Sequence, residues 1–370
     1  MKKVYSAKRT DPVSFAVITA AFFFACFAAL YMPSKAAEGF RSGMDYSLNV
    51  LLPSLFPFMF LSAFASEYGI SAQLGRLLAP ITRTLFCLPE EAGMTILLGL
   101  IGGFPVGAVG ISSLLMQGKI TDKQAQRMLC FCVNPGPAFM INAVGDGIYG
   151  SSVIGILLFC AQTAASLLIG IIIGIIAGRK EKIPVNNTIT ADAKDFSSAF
   201  VLSTRRACSS SVSLCSMVVL FSSFSTLAMA VLDIPTDSLE GTIIRAVLEV
   251  TDGCLCIAKE KYPLFVTAMC IGWGGVSVHF QIFSALERLN INKLQFILAR
   301  LTVGAASAGI VYLICEHTDI SIAVFAKTQE LTAEFSSVTV SGSLALFISS
   351  ILFVIFINKR ETAAYNVMRK

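Results

Sequence analysis

The sequence predicts an all-α polytopic membrane protein. Of its 370 residues 55% are hydrophobic and only 14% charged, and apolar stretches of spanning length recur along most of the chain. The mean hydropathy is +0.75. A soluble domain carries about 25% charged residues, whereas a bilayer-spanning helix needs about 20 mostly apolar ones. A soluble globule, a disordered chain, a collagen-like fibre and a disulfide-rich secreted scaffold are thereby excluded. The lipid bilayer is the expected surrounding, in a multi-pass arrangement in the cell membrane.

The elements follow in order. Ser14 to Met32 meets the spanning requirement, preceded by Lys2, Lys3, Lys8 and Arg9. It reads as an uncleaved first span rather than a signal peptide, because Pro33 and Lys35 spoil the cleavage context. Val50 to Ser66 is the second span. In Ser71 to Leu88, Leu74, Leu77, Leu78, Ile81 and Leu85 recur at helical spacing opposite Arg76 and Arg83, the pattern of a helix lying in the interface. Gly93 to Met116 is apolar but broken by Gly102-Gly103-Phe104-Pro105-Val106-Gly107. Each half is too short to cross alone, so a re-entrant helical hairpin is expected. Met128 to Val144 is broken by Asn134-Pro135-Gly136-Pro137, and Ser151 to Ala177 is an uninterrupted span.

Arg179 to Arg206 is the most polar stretch and carries six basic residues, Arg179, Lys180, Lys182, Lys194, Arg205 and Arg206. The positive-inside rule places it in the cytoplasm. The second half then reads as a span at Ser209 to Leu232 and an amphipathic interfacial helix at Thr242 to Ala258. A second broken hairpin follows at Pro263 to Leu286, interrupted at Gly272-Trp273-Gly274-Gly275. Phe296 to Cys315 and Val338 to Ile357 are the closing spans.

Two repeats therefore divide the chain, each with an interfacial helix, a hairpin and spanning helices. The expected boundaries are 1–49 for the first span and loop, 50–178 for the first repeat, and 179–208 for the basic linker. The second repeat takes 209–357 and the tail 358–370. Thr95, Gly102, Gly103, Val106, Ser112 and Leu114 align without gaps on Thr267, Gly274, Gly275, Val278, Ser284 and Leu286. Paired interrupted segments in two halves point to a transporter binding site. An inverted repeat puts the C-terminus outside, while Lys359, Arg360, Arg369 and Lys370 favour the inside. The inside solution forces Arg245, Glu249 and Asp252 across the membrane, and the inverted arrangement is the expectation.

The stretches GGFPVGA from Gly102, CFCVNPGPAF from Cys130, LEVTDG from Leu248 and GGVSVHFQ from Gly274 together resemble the sporulation integral membrane protein YlbJ (SpoVV) family. That family carries a nucleoside-recognition, or Gate, domain in two copies, and the resemblance covers about residues 45 to 320. The order of elements is also similar to the core of concentrative nucleoside transporters. The resemblance implies a role in endospore formation, moving dipicolinate (pyridine-2,6-dicarboxylate) across the outer forespore membrane. Gly102 to Ala108 lacks the acidic and amide side chains with which hairpins of nucleoside transporters grip ribose and base.

A small dianion needs hydrogen-bond donors and positive potential. Backbone N–H groups at half-helix N-termini supply both, so Gly102, Gly103, Gly107, Gly274 and Gly275 are candidate anion cradles; tight helix packing is the alternative. Asn134 and Asn142 could bind ligand or a coupling cation, or Asn134 could bond its own kinked backbone. Ser277, His279 and Gln281 alternate past the second break, where His279 either meets a carboxylate or a proton, or is a neutral residue inside the bundle. Glu249, Thr251 and Asp252 are coupling-ion candidates, or a solvated face with an Arg245–Glu249 ion pair.

No phosphate loop, zinc-protease motif or nucleophile motif is present, so neither an enzyme nor a self-contained ATP-driven pump is expected. Cys130/Cys132 and Cys254/Cys256 lack zinc-site spacing and the chain has only two histidines, so no metal or other cofactor is expected. The net charge of +5 sits in the N-terminus, linker and tail, the placement of loop charges, and no nucleic-acid partner is expected. The expected partners are the bilayer and a small organic anion, and a homo-oligomer is compatible with the sequence. The alternative functions are a cation-coupled nucleoside transporter and a structural protein of spore morphogenesis.

Overall fold

A computed structural model describes residues 12–178, 194–286, 289 and 291–317. The span expected at Val338 to Ile357, most of the basic linker and the tail lie outside the described residues. The described residues are helical and contain no strand. Five of their helices are long and apolar enough to cross a membrane: Pro33–Glu67, Ser152–Ile176, Phe196–Val231, Leu264–Ala285 and Lys293–His317.

Helix α1, Pro12–Tyr31, carries Phe22, Phe23, Phe24 and Phe27 with their rings mostly exposed. In a bilayer that surface faces lipid. Helix α2, Pro33–Tyr46, continues through a wide turn at Ser47–Leu51 into α3, Leu52–Glu67. Residues 33–46, assigned to a loop by sequence, are thus helical. Gly39 and Gly43 lie one turn apart against Ser222 and Val219, where an added Cβ would come within 2.7–2.8 Å of backbone atoms. Small residues at this spacing let two membrane helices approach closely.

Helix α4, Ile70–Leu85, shows Leu74, Leu77, Ile81 and Leu85 exposed and Thr82 buried. An exposed apolar face beside Arg83, which pairs with Glu90 at 2.8 Å, suits the interfacial placement expected of it. Helices α5, Glu91–Ile101, and α6, Phe104–Met116, form an antiparallel hairpin. Gly99 faces Gly107, and Thr95 faces Gly110. Helix α7, Asp122–Leu129, starts with a capping box between Thr121 and Gln124. An irregular stretch then leads to a π-helical segment, Ala138–Asp146, and the long α8, Ser152–Ile173.

Helix α9, Phe196–Val231, is 36 residues long and capped by Asp195. The apolar pattern starts this span at Ser209 and puts Arg205 and Arg206 in the linker. The helix instead takes both, because Arg206 pairs with Glu67, which also accepts a bond from Lys194. That ion-paired cluster anchors the start of α9 to the end of α3.

The largest departure from expectation lies in the second half. Thr242 to Ala258 is not one interfacial helix. It is a hairpin of α10, Leu239–Leu248, and α11, Val250–Lys259, with Gly253 packed on Ala246 and Arg245 reaching Asp252 across the gap. The expected hairpin at Pro263 to Leu286 is instead a broken span. Its halves, α12, Leu264–Trp273, and α13, Gly275–Ala285, run on from one another through Gly274 as one apolar segment. Helix α14, Lys293–His317, packs on α12 so closely that a Cβ on Gly272 would overlap the Cα of Gly304.

Candidate functional site

Four chain breaks meet at one place. The first hairpin turns at Gly102 and Gly103, whose φ of +85° with ψ of 179° belongs to glycine. Below the turn, a Cβ on Gly99 or Gly107 would overlap the carbonyl oxygen of Cys132, so the stretch leading to Asn134 sits in the hairpin's throat. Gly136 lies directly against Gly103. The first tip therefore rests on the first broken helix. Gly107 packs there against Cys132 and Gly99 and does not line the cavity between the tips.

The second hairpin turns without glycine. Glu249 is extended (φ −145°, ψ 127°) and caps α11, its Oε2 accepting bonds from the N–H groups of Thr251 and Asp252 at 2.8 Å each. Gly275, at φ +77°, lies against Leu248, Glu249 and Val250. The indole N–H of Trp273 donates to Val247 O at 3.0 Å. The second tip thus rests on the second broken helix. Gly274 completes the junction by facing the ring of Phe104 from the first tip.

Between them lies a cavity of about 610 Å³ counting its open mouth, of which about 50 Å³ is wide enough for the centre of a water molecule. Gly102, Gly103 and Phe104 line it from the first tip, Pro135 and Gly136 from the first break, Glu249 and Thr251 from the second tip, and Gln281 from α13. Leu51, Leu55 and Met59 of the α2–α3 helix and Leu214 and Val218 of α9 form its apolar wall. Irregular backbone inside a membrane protein persists where it is buried in protein or lines a cavity, and here all four breaks satisfy that condition together.

Of the residues singled out by sequence, Gly102, Gly103, Glu249, Thr251 and Gln281 line the cavity. Gly274 and Gly275 sit directly behind. Asp252 is buried but faces Arg245 (3.2 Å) and Ser225 (3.0 Å) instead. The solvated face with an Arg245–Glu249 pair is not formed: Glu249 and Thr251 are 1% and 2% exposed, and Arg245 turns to Asp252. Asn142 lies on the π-helical segment, half-buried and off the cavity.

Ser277 and His279 are buried on α13 away from the lining. The His279 ring lies 4.3 Å from that of Trp273 at a tilt of 36°, and its Nδ1 lies 2.7 Å from Gly275 O. Since a carbonyl only accepts, Nδ1 carries a proton; Nε2 has no partner among the described residues.

One residue that matters was not read from the sequence. Arg300 of α14 is 1% exposed, and its Nη1 donates to Val133 O at 2.7 Å and approaches Asn134 Oδ1 at 3.4 Å. Asn134 is itself held by Ser166, whose Oγ lies 2.6 Å from Oδ1, and by its own Nδ2 bond to Phe131 O. Asn134 is therefore part of a brace joining the first break to α8 and α14. The signal was available: a single charge inside an apolar span costs about 2.5–3.5 kcal/mol at a helix centre and marks a functional candidate.

Five apolar helices of spanning length, with a cavity lined by chain breaks between them, define a multi-pass helical membrane protein. No family model matches the chain, and no solved structure does. Among curated proteins it is similar to the sporulation integral membrane protein YlbJ of Bacillus subtilis (strain 168), 26% identical over 336 residues, 80% of this chain and 82% of that protein. That similarity supports membership of the sporulation integral membrane protein YlbJ family. Among the described residues no cluster of three or more His, Cys, Asp or Glu side chains is placed to hold a metal ion.

Proposed function

We propose that the protein is a secondary transporter of a small organic anion, with no catalytic step of its own, and that dipicolinate is its substrate. The observation that supports this best is the convergence of two hairpin tips and two broken helices on one cavity. Each half of the chain supplies one tip resting on one broken helix. We read this as two repeats, paired as 91–116 with 239–259 and as 128–146 with 264–285, one element earlier in the second half than the glycine alignment suggested. Such halves rock around a shared site in secondary transporters. The similarity to a sporulation integral membrane protein supports a role in sporulation, and the outer forespore membrane is the placement that belongs to this reading.

Glu249 at the cavity wall is a carboxylate that an entering dianion must tolerate. Its bonds from Thr251 and Asp252 N–H offset part of the charge, and a co-transported proton or cation would offset the rest. The same carboxylate, with the Gln281 amide nearby on the lining, favours a second reading, a cation-coupled nucleoside transporter.

Uptake into proteoliposomes separates them. Labelled dipicolinate and labelled uridine are run side by side against empty liposomes and the Gly103→Leu protein. Saturable dipicolinate uptake, lost in Gly103→Leu, is expected. Uridine uptake that follows a cation gradient, without dipicolinate uptake, would replace the first reading by the second. Uptake of neither would leave a structural role in spore morphogenesis.

A further inference from the structure

Arg300 carries more hydrogen-bonding capacity than the fold uses. Its Nη1 is committed to Val133 O and Asn134 Oδ1, while Nε and Nη2 have no hydrogen-bond partner among the described residues. Among the described residues no carboxylate pairs with it. The two bare nitrogens form the side edge of the guanidinium, where two N–H groups point the same way. That edge matches the two oxygens of a carboxylate in a bidentate pair. A brace between the first break and α14 needs only the Nη1 edge, which a lysine could replace. A buried cation with two idle donors is costly unless something periodically meets it.

Its position connects it to the cavity. The ring of Phe104 lines the cavity, and the Arg300 guanidinium carbon lies 5.4 Å from that ring's centroid. Other buried polar atoms without partners among the described residues lie on α14 and the neighbouring helices: Ser277 Oγ and His279 Nε2 on α13, Ser307 Oγ on α14, and the Gln162 amide on α8. The His279 ring packs 5.3 Å from Phe296, one turn from Arg300, and Gln162 lies at the Gly272–Gly304 crossing one turn the other way.

We propose that Arg300 is the carboxylate-binding residue of this site, its side edge receiving one carboxylate of a small organic acid when the Phe104 ring turns aside. This rests on the anion-transport reading and adds to it the group that recognises the charge. The site would therefore select acids over their neutral analogues.

The test uses the full-length protein, wild type, Arg300→Gln and Arg300→Lys, with labelled dipicolinate and the uncharged pyridine-2,6-dicarboxamide. Arg300→Gln is expected to lower kcat/KM for dipicolinate by at least about 30-fold, the loss that follows removal of one partner of a buried charged pair. Arg300→Lys, which keeps the charge but not the fork, is expected to raise KM by about 10-fold or more. Dicarboxamide uptake is expected to be negligible in all three. Dipicolinate uptake by Arg300→Gln at the wild-type kcat/KM would overturn the proposal. Where Arg300→Gln is not recovered folded, a wild-type KM in Arg300→Lys overturns it.

If wild type takes up no acid, transport fails as a reading and binding decides this proposal on its own. Dipicolinate that raises the melting temperature of wild type but not of Arg300→Gln supports it. Equal shifts in both, or none in either, overturn it.

Discussion

Glu249 permits a separation of structural from functional roles, because its contacts are few and defined. Its Oε2 accepts two N–H bonds at 2.8 Å, and the residue is 1% exposed. Glu249→Ala leaves both donors buried and unpaired, at about 1–3 kcal/mol each. Relief from burying a carboxylate offsets part of that, so a net loss of about 2–4 kcal/mol is expected. Glu249→Gln keeps a side-chain oxygen for the same N–H groups and loses only the charge assistance, about 1 kcal/mol. Thermal unfolding of detergent-purified protein should therefore rank wild type first, Gln close behind and Ala well below. Equal melting of Gln and Ala would refute the cap as the residue's structural contribution. Uptake then reads the other role: Glu249→Gln, though folded, should lose dependence on a proton or cation gradient. Retained gradient dependence in that variant would remove Glu249 as the coupling site.

The tip glycines should divide into two kinds. Gly107→Ala drives a Cβ into the Cys132 carbonyl and onto Gly99, and should abolish recovery of monodisperse protein in size-exclusion chromatography. Gly103→Ala meets nothing nearer than Gly136 N at 3.6 Å, so it should fold at a cost of about 1–3 kcal/mol from its backbone conformation alone. The second hairpin is tested by a double-mutant cycle on Arg245 and Asp252. A coupling of about 1–3 kcal/mol between Arg245→Ala and Asp252→Ala is expected if they meet across the turn. Additive losses would instead fit one continuous helix, in which these residues, seven apart, lie two turns from each other.

The positions of three breaks were legible because glycine and proline interrupt apolar helices whatever the fold. Gly102-Gly103, Asn134 to Pro137 and Gly274 all fall between helical segments. Their topology was not legible. A glycine at positive φ serves both a reversal of direction at Gly103 (φ +85°, ψ 179°) and a helix that runs on at Gly274 (φ +84°, ψ −7°), and the residue type does not tell the two apart. What distinguishes them is the pairing of small residues on either side. Gly99 and Gly107 flank the first tip in contact with one another, and no equivalent pair flanks Gly274.

The same pairing of small residues marks the hairpin in the polar segment, where no glycine sits at the turn. Ala246 and Gly253 flank Glu249 and touch, and Arg245 and Asp252 carry opposite charges that can meet only if the chain reverses between them. A helical wheel treats Arg245, Glu249 and Asp252 as one polar face and finds an interfacial helix. The wheel fails because it takes the helix as continuous, whereas a reversal at Glu249 lets one carboxylate cap a helix and the other pair with the arginine. Arg300 is the complementary case. It stands alone in an apolar helix with no sequence neighbour to neutralise it, so no local pattern could explain its presence. Its partners, Val133 and Asn134, lie more than 160 residues away in sequence. A charge that local sequence cannot justify has to be justified by the assembled site, and in this chain that site is where the breaks converge.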